Sequence, residues 1–209
     1  MLFDVFYPHV LPGDAGHVPA NINVQQAIVV PAAAAIILDS TGAGAIARIA
    51  QTPLPFTSPS ELLESIVTAL ALHAGGFEDL IDRTHGHPFF DNRRTVYTGA
   101  LSQTDLSIIN ATVQRFDASP SALQYLDRNY EPSGDLRIPM LMLSTSRDPD
   151  VPRLHPLAYL NAVAATGSSD LLVQREINRY GHCNFTLEEL GAAFTDLVRW
   201  VELGIKPTP

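Results

Sequence analysis

Two segments constrain this chain more than any others, because they are the stretches that read as β-strands. Ile138–Thr145 (IPMLMLST) is a short apolar run entered through Pro139, which suits a strand buried in a parallel sheet. Asp170–Ile177 is the second strand candidate. A helix over about 155–165, ended by Gly167, separates them, and a last helix begins at Thr186. That order, β–loop–α–β–loop–α, is the grammar of an open parallel sheet. Two strands are few for such a sheet, since sheets average five or six. The expected fold is therefore α/β, in the form of a partial parallel sheet behind a helical region. The domains expected are 1–136, helical and connecting, and 137–209, carrying the β–α–β–α units.

The first part patterns as helices. Residues 1–22 read as an extended or looped lead-in punctuated by Pro8, Pro12, Gly13, Gly16 and Pro19. Residues 24–37 are Ala- and Ile-rich and predict a helix interrupted at Pro31. A short helix is expected at about Ala43–Gln51. Ser58 as N-cap, Pro59 at the first position and Glu61 as capping-box partner start another, with Gly75–Gly76 as its stop. Residues 85–98 read as loop, and helices are expected at 103–116 and 120–128. On the last helix, Glu189 stands in capping-box position. Its apolar stripe is Leu187, Leu190, Phe194, Leu197, Val198 and Val201, and Trp200 lies beside it as a packing residue.

Several functional classes are disfavoured. The formal net charge is −9, whereas a nucleic-acid partner calls for clustered Lys and Arg. The most apolar stretch, Ala27–Leu38, is shorter than the roughly 20 residues that span a bilayer, so no membrane partner is expected. The N-terminal residues lack the pattern of a signal peptide, which leaves the cytoplasm as the default compartment. The single cysteine, Cys183, forms no internal disulfide.

The chemistry concentrates after the two strands. Ser144-Thr-Ser-Arg-Asp148-Pro-Asp150-Val-Pro152 comes after the first, and Arg179-Tyr-Gly181-His182-Cys-Asn-Phe185 after the second. In open α/β sheets, functional groups collect outside the carboxyl ends of the strands. A serine hydroxyl is a weak nucleophile until a neutral imidazole accepts its proton, and a carboxylate fixes that imidazole's tautomer. Asp148 and His182 are the acid and base that such a mechanism needs, in the chain order Asp then His. Asp150, two residues on, is the alternative acid.

Residues 137–185 resemble the end of an α/β-hydrolase, with a D-x-x-V-P acid loop (Asp148, Val151, Pro152) and a G-H histidine loop (Gly181, His182). Residues 85–136, including Asp91-Asn92, Tyr97, Asn110 and Tyr125–Tyr130, resemble the lid and connecting region of bacterial hydrolases related to prolyl-oligopeptidase-like and feruloyl-esterase-like enzymes. The resemblance implies hydrolysis of a small carboxylic ester by a Ser–Asp–His triad, with no cofactor. It places the first residues of the chain just after the nucleophile region.

The family's G-x-S-x-G nucleophile elbow is absent from the sequence. Ser40, in Leu38-Asp-Ser-Thr-Gly42, is the candidate closest to it, but Leu38 occupies the position where the sharp turn requires glycine. Three alternatives arise: the serine lies on another chain or segment, Ser40 or another serine of this chain serves after an unusual assembly, or the chain is a non-catalytic binding or assembly module. An incomplete sheet leaves an open edge, so association is expected, either as a homo-oligomer or with a chain bearing the nucleophile.

Other residues have plainer readings. Cys183 is expected to be a small buried residue pointing away from His182. His85, His87 and Asp91 are metal-ligand types without a closing ligand, so no metal site is expected. Phe89, Phe90 and Tyr97 are candidates to line a substrate pocket, and core packing accounts for them equally well.

Overall fold

A computed structural model of the chain describes residues 1–13, 19, 21–51 and 55–209. It is a mixed α/β protein with many helices and a small parallel sheet of two strands. The chain divides into two compact units, Met1–Glu131 and Pro132–Pro209.

Unit 1 is helical. It opens with α1 (Leu2–Phe6), where the sequence predicted an irregular lead-in; Gly16 lies outside the described residues. The helix forms because it has a core to enter: Phe3 and Tyr7 are buried and their rings stack at 4.8 Å. The Tyr7 hydroxyl donates to the Asp39 carbonyl. Gly42 permits the close approach, since a Cβ there would meet Phe6 Cβ at 2.5 Å.

The interruption expected at Pro31 takes a defined form. A π-helical turn at Gln25–Val29 leads into α2 (Val30–Leu38), with Pro31 in its first turn. Val29 and Val30 are both helical and the Val30 N–H donates to Gln25 O, so Pro31 sits in a continuous helical backbone and removes one N–H from its ladder. Next comes α3 (Thr41–Ala50), and Phe3, Ile36, Ile46, Leu62 and Ile66 belong to the core these helices share.

α4 (Pro59–Arg83) starts as its sequence predicts, with the Ser58 side chain accepting from the Glu61 N–H. Glu61 reaches back one residue further, to the Thr57 N–H. The predicted stop at Gly75–Gly76 does not occur. Both glycines point into open space, and neither has the positive φ of a helix-ending residue. Phe77, ringed by Phe89 and Phe90, anchors the second half, and Arg83 pairs with Asp79 one turn back. Packing outweighs the roughly 1 kcal/mol that each glycine costs a helix.

α5 (Gln103–Thr112) ends earlier than predicted, because residues 114–116 are captured by Asn92. The Asn92 amide donates to Gln114 O and accepts from Phe116 N. α6 (Pro120–Asn129) completes the unit.

Unit 2 holds β1 (Met140–Arg147), α7 (Leu154–Ala165), β2 (Leu172–Tyr180) and α8 (Leu187–Leu203). The strands pair in parallel, Met140 opposite Leu172 through Thr145 opposite Ile177, with α7 as the connection. The register shifts between Thr145 and Arg147. α8 carries the expected capping box of Thr186 and Glu189 and ends at left-handed Gly204.

α8's predicted apolar stripe is not its buried face. Ala193 and Trp200 are buried instead, while Leu187, Leu190, Phe194 and Val201 are exposed. A two-stranded sheet is narrow, and the small Ala193 lets that side of the helix approach closely. Among the described residues, no helix is long and apolar enough to cross a membrane.

Candidate active site

The site lies in unit 2, at the carboxyl ends of its paired strands. Asp148 is the first residue after β1, and His182 is the second after β2. Because the strands are parallel and adjacent, both loops leave the sheet at the same edge.

Two hydrogen bonds fasten the histidine loop to the end of β1. The Thr145 hydroxyl donates to Gly181 O at 2.6 Å, and Gly181 N–H donates to Arg147 O at 3.1 Å. Gly181 takes φ +107, a conformation that side chains resist. On the far side, Asn184 Nδ2 donates to Tyr180 O, and Arg179 bridges Glu189 with two hydrogen bonds at 2.8 and 3.0 Å. This pairing, helped by the Thr186 N–H, holds the Glu189 carboxyl well below its ordinary value, at about 2. It ties the end of β2 to the start of α8, with the histidine loop between them.

The acid is held with equal definition. Asp148 is buried, and its Oδ1 accepts from the N–H groups of Asp150 and Val151 at 2.8 and 2.9 Å. His182 Nδ1 lies 2.9 Å from Asp148 Oδ2 and 3.2 Å from Oδ1. A carboxylate accepts, so Nδ1 carries the ring proton and Nε2 keeps its lone pair. His182 is 42 % exposed and Asp148 only 7 %, which leaves the imidazole reachable from solvent and its carboxylate sheltered. Such a pair can accept a proton at Nε2 and stabilise the imidazolium that forms. The alternative acid, Asp150, donates its backbone N–H to Asp148, and it is Asp148 that accepts from the ring.

Cys183 departs from expectation. It is exposed rather than buried, and its Sγ lies 3.5 Å from His182 Nε2. Cys183 sits in the left-handed region (φ +48), and with Gly181 also at positive φ the loop coils tightly. Consecutive side chains, which alternate on an extended loop, are thereby brought together.

The remaining candidates belong to unit 1. Ser40 is exposed at the junction of α2 and α3 as the N-cap of α3, so a helix precedes it rather than the strand of an elbow. Phe89 and Phe90 join Phe77 and Phe116 in an aromatic cluster, with ring separations of 4.7 to 5.7 Å. Tyr97 is half-buried, with the Arg115 guanidinium over its ring and its backbone tied to the Asn110 side chain. His85 and His87 come after α4; among the described residues no group of three metal-ligating side chains assembles.

Some functional geometry was invisible to motif reading. Thr145 stands inside a strand and resembles any β-branched residue there, yet it orients the histidine loop. Of the polar residues that end β1, Ser144 to Arg147, Thr145 alone is buried, and residue spacing does not single it out.

No protein-family model matches the chain, and no solved structure matches it. Over 109 residues the chain is 29% identical to an o-phthalyl amidase from Xanthobacter agilis. The match covers 51% of this chain and 23% of that protein. An amidase is a hydrolase, so the similarity hints at a hydrolase in general.

Proposed function

We propose that this chain forms part of a carboxylic ester or amide hydrolase, supplying the acid and base of a Ser–Asp–His triad within a partial α/β-hydrolase fold. The observation that carries the reading is the Asp148–His182 pair. A buried carboxylate and an exposed imidazole meet at 2.9 Å, at adjacent carboxyl ends of parallel strands. Asp148 fixes the ring, and Nε2 takes the hydroxyl proton as the serine attacks the substrate carbonyl. The same nitrogen then returns a proton to the leaving alcohol or amine.

The serine belongs to a partner chain or segment, because the elbow motif is missing from this sequence and Ser40 is preceded by a helix. Likeness to a named amidase adds amides to the esters as substrates. The test is labelling with a fluorophosphonate and turnover of a p-nitrophenyl ester. The chain alone gives neither; co-expression with a chain bearing a G-x-S-x-G serine gives both, and His182→Ala abolishes turnover. Labelling of the chain alone that vanishes in Ser40→Ala overturns the assignment of the serine to another chain.

A second reading, a non-catalytic assembly module derived from a hydrolase, is favoured by the exposed apolar residues Leu187, Phe194 and Val201 on α8. Either reading calls for association, as a homo-oligomer or with the nucleophile-bearing chain. Stable association without turnover in any combination selects the second.

A further inference from the structure

Unit 1 contains a cavity of about 380 Å³ between α1, α3 and α4, distinct in kind from the acid–base pair of unit 2. Its walls are overwhelmingly apolar: Leu11, Ile46, Ile66, Leu70 and Phe77 are among the lining residues. The space opens to solvent and its walls are apolar, as those of small-molecule clefts are. It falls in the range of small-molecule sites, roughly 300–1,000 Å³. An engineered apolar cavity of about 150 Å³ accepts benzene, so this one suits a molecule of two rings.

The polar groups on the wall define the ligand further. His73 Nδ1 donates to Ala69 O of its own helix, which leaves Nε2 as an acceptor. The Tyr97 hydroxyl accepts from Asn92 Nδ2 and keeps its own proton to donate. Among the described residues, Asp4 is the one carboxylate on the wall, and no Lys or Arg lines the cavity. Asp4 is already paired with the Met1 ammonium at 3.0 Å, so the two charges offset each other and an anion would find no unpaired cation.

We propose that this cavity is a binding site for a neutral, two-ring apolar molecule bearing a hydroxyl group, which donates to His73 Nε2 and accepts from Tyr97. The inference does not rest on the hydrolase reading, because it involves neither Asp148 nor His182.

The test is calorimetric titration of the full chain with 1-naphthol, with 1-naphthalenesulfonate as the anionic control. Naphthol binds at one saturable site, and the sulfonate binds about tenfold more weakly or not at all. Ala69→Phe and, separately, Ala50→Leu fill the cavity from α4 and α3 and weaken naphthol binding about tenfold or more. His73→Phe removes one hydrogen bond and weakens it about three- to tenfold. The far-UV circular dichroism of each variant establishes that it is folded, and the two fillers are independent, so one misfolded variant leaves the other decisive. Absence of saturable naphthol binding overturns the proposal. So does binding that survives both fillers in folded protein, or sulfonate binding as tight as naphthol.

Discussion

Thr145 and Gly181 are joined by a 2.6 Å hydrogen bond that runs from the end of one strand to the loop after the other. Thr145 is 3% exposed, so its hydroxyl sits where water does not compete. The bond fixes the residue immediately before His182, and Gly181 returns a second bond to Arg147 O. The histidine loop is positioned by the sheet itself.

Thr145→Val keeps the shape of the side chain and removes this donor. It lowers the stability of unit 2 by about 1 kcal/mol, the cost of losing one part-buried hydrogen bond. Trp200, the protein's one tryptophan, is buried and belongs to unit 2. Its fluorescence in a urea titration gives the shift in midpoint.

The Arg179–Glu189 pair makes a pH prediction. Glu189 titrates at about 2 when folded, against an ordinary value of 4.5. A lowered folded value means the pair's contribution is complete above 4.5. It is lost as pH falls from there toward 2. Glu189→Gln therefore destabilises unit 2 at neutral pH and flattens its acid dependence below 4.5. Trp200-monitored unfolding at a series of pH values reads both effects.

Cys183 lies against the nitrogen that would receive the serine's proton, at 3.5 Å. In an assembly that turns over ester, Cys183→Ala leaves the rate within about threefold of the parent, because the thiol supplies no proton step in the triad. Alkylation of Cys183 with iodoacetamide places an added group beside Nε2 and abolishes turnover. Mass spectrometry of the alkylated peptide alongside the rate measurement separates the two.

Gly75 lies within α4, points into open space and has ordinary helical geometry. Gly75→Ala stabilises unit 1 by about 0.5–1 kcal/mol, since alanine loses less conformational freedom in forming a helix. Thermal unfolding monitored by far-UV circular dichroism shows the rise. A fall would mean the helix breaks at the glycine pair.

The sequence was most legible where local chemistry decides. Ser58 and Thr186 announce the starts of α4 and α8, and the apolar run after Pro139 announces β1. Asp148 and His182 were legible because parallel pairing brings the residues after each strand to one edge. Tertiary packing governs the rest. The glycine pair in α4 reads as a stop until Phe77 is seen to anchor the second half of the helix. The α8 stripe reads as a core face until Ala193 and Trp200 are seen facing inward. Cys183 reads as buried until positive φ at Gly181 and Cys183 turns it toward His182. Each depends on contacts or backbone angles that residue spacing does not encode.

The central claim is that Asp148 holds His182 with its proton on Nδ1 and its lone pair on Nε2. Long-range ¹H–¹⁵N correlation of the imidazole at neutral pH measures this in the chain as it stands. The account predicts the Nδ1–H tautomer, with a downfield Nδ1 proton that Asp148→Asn removes or shifts. An Nε2–H tautomer, or a ring spectrum unchanged in Asp148→Asn, would contradict it.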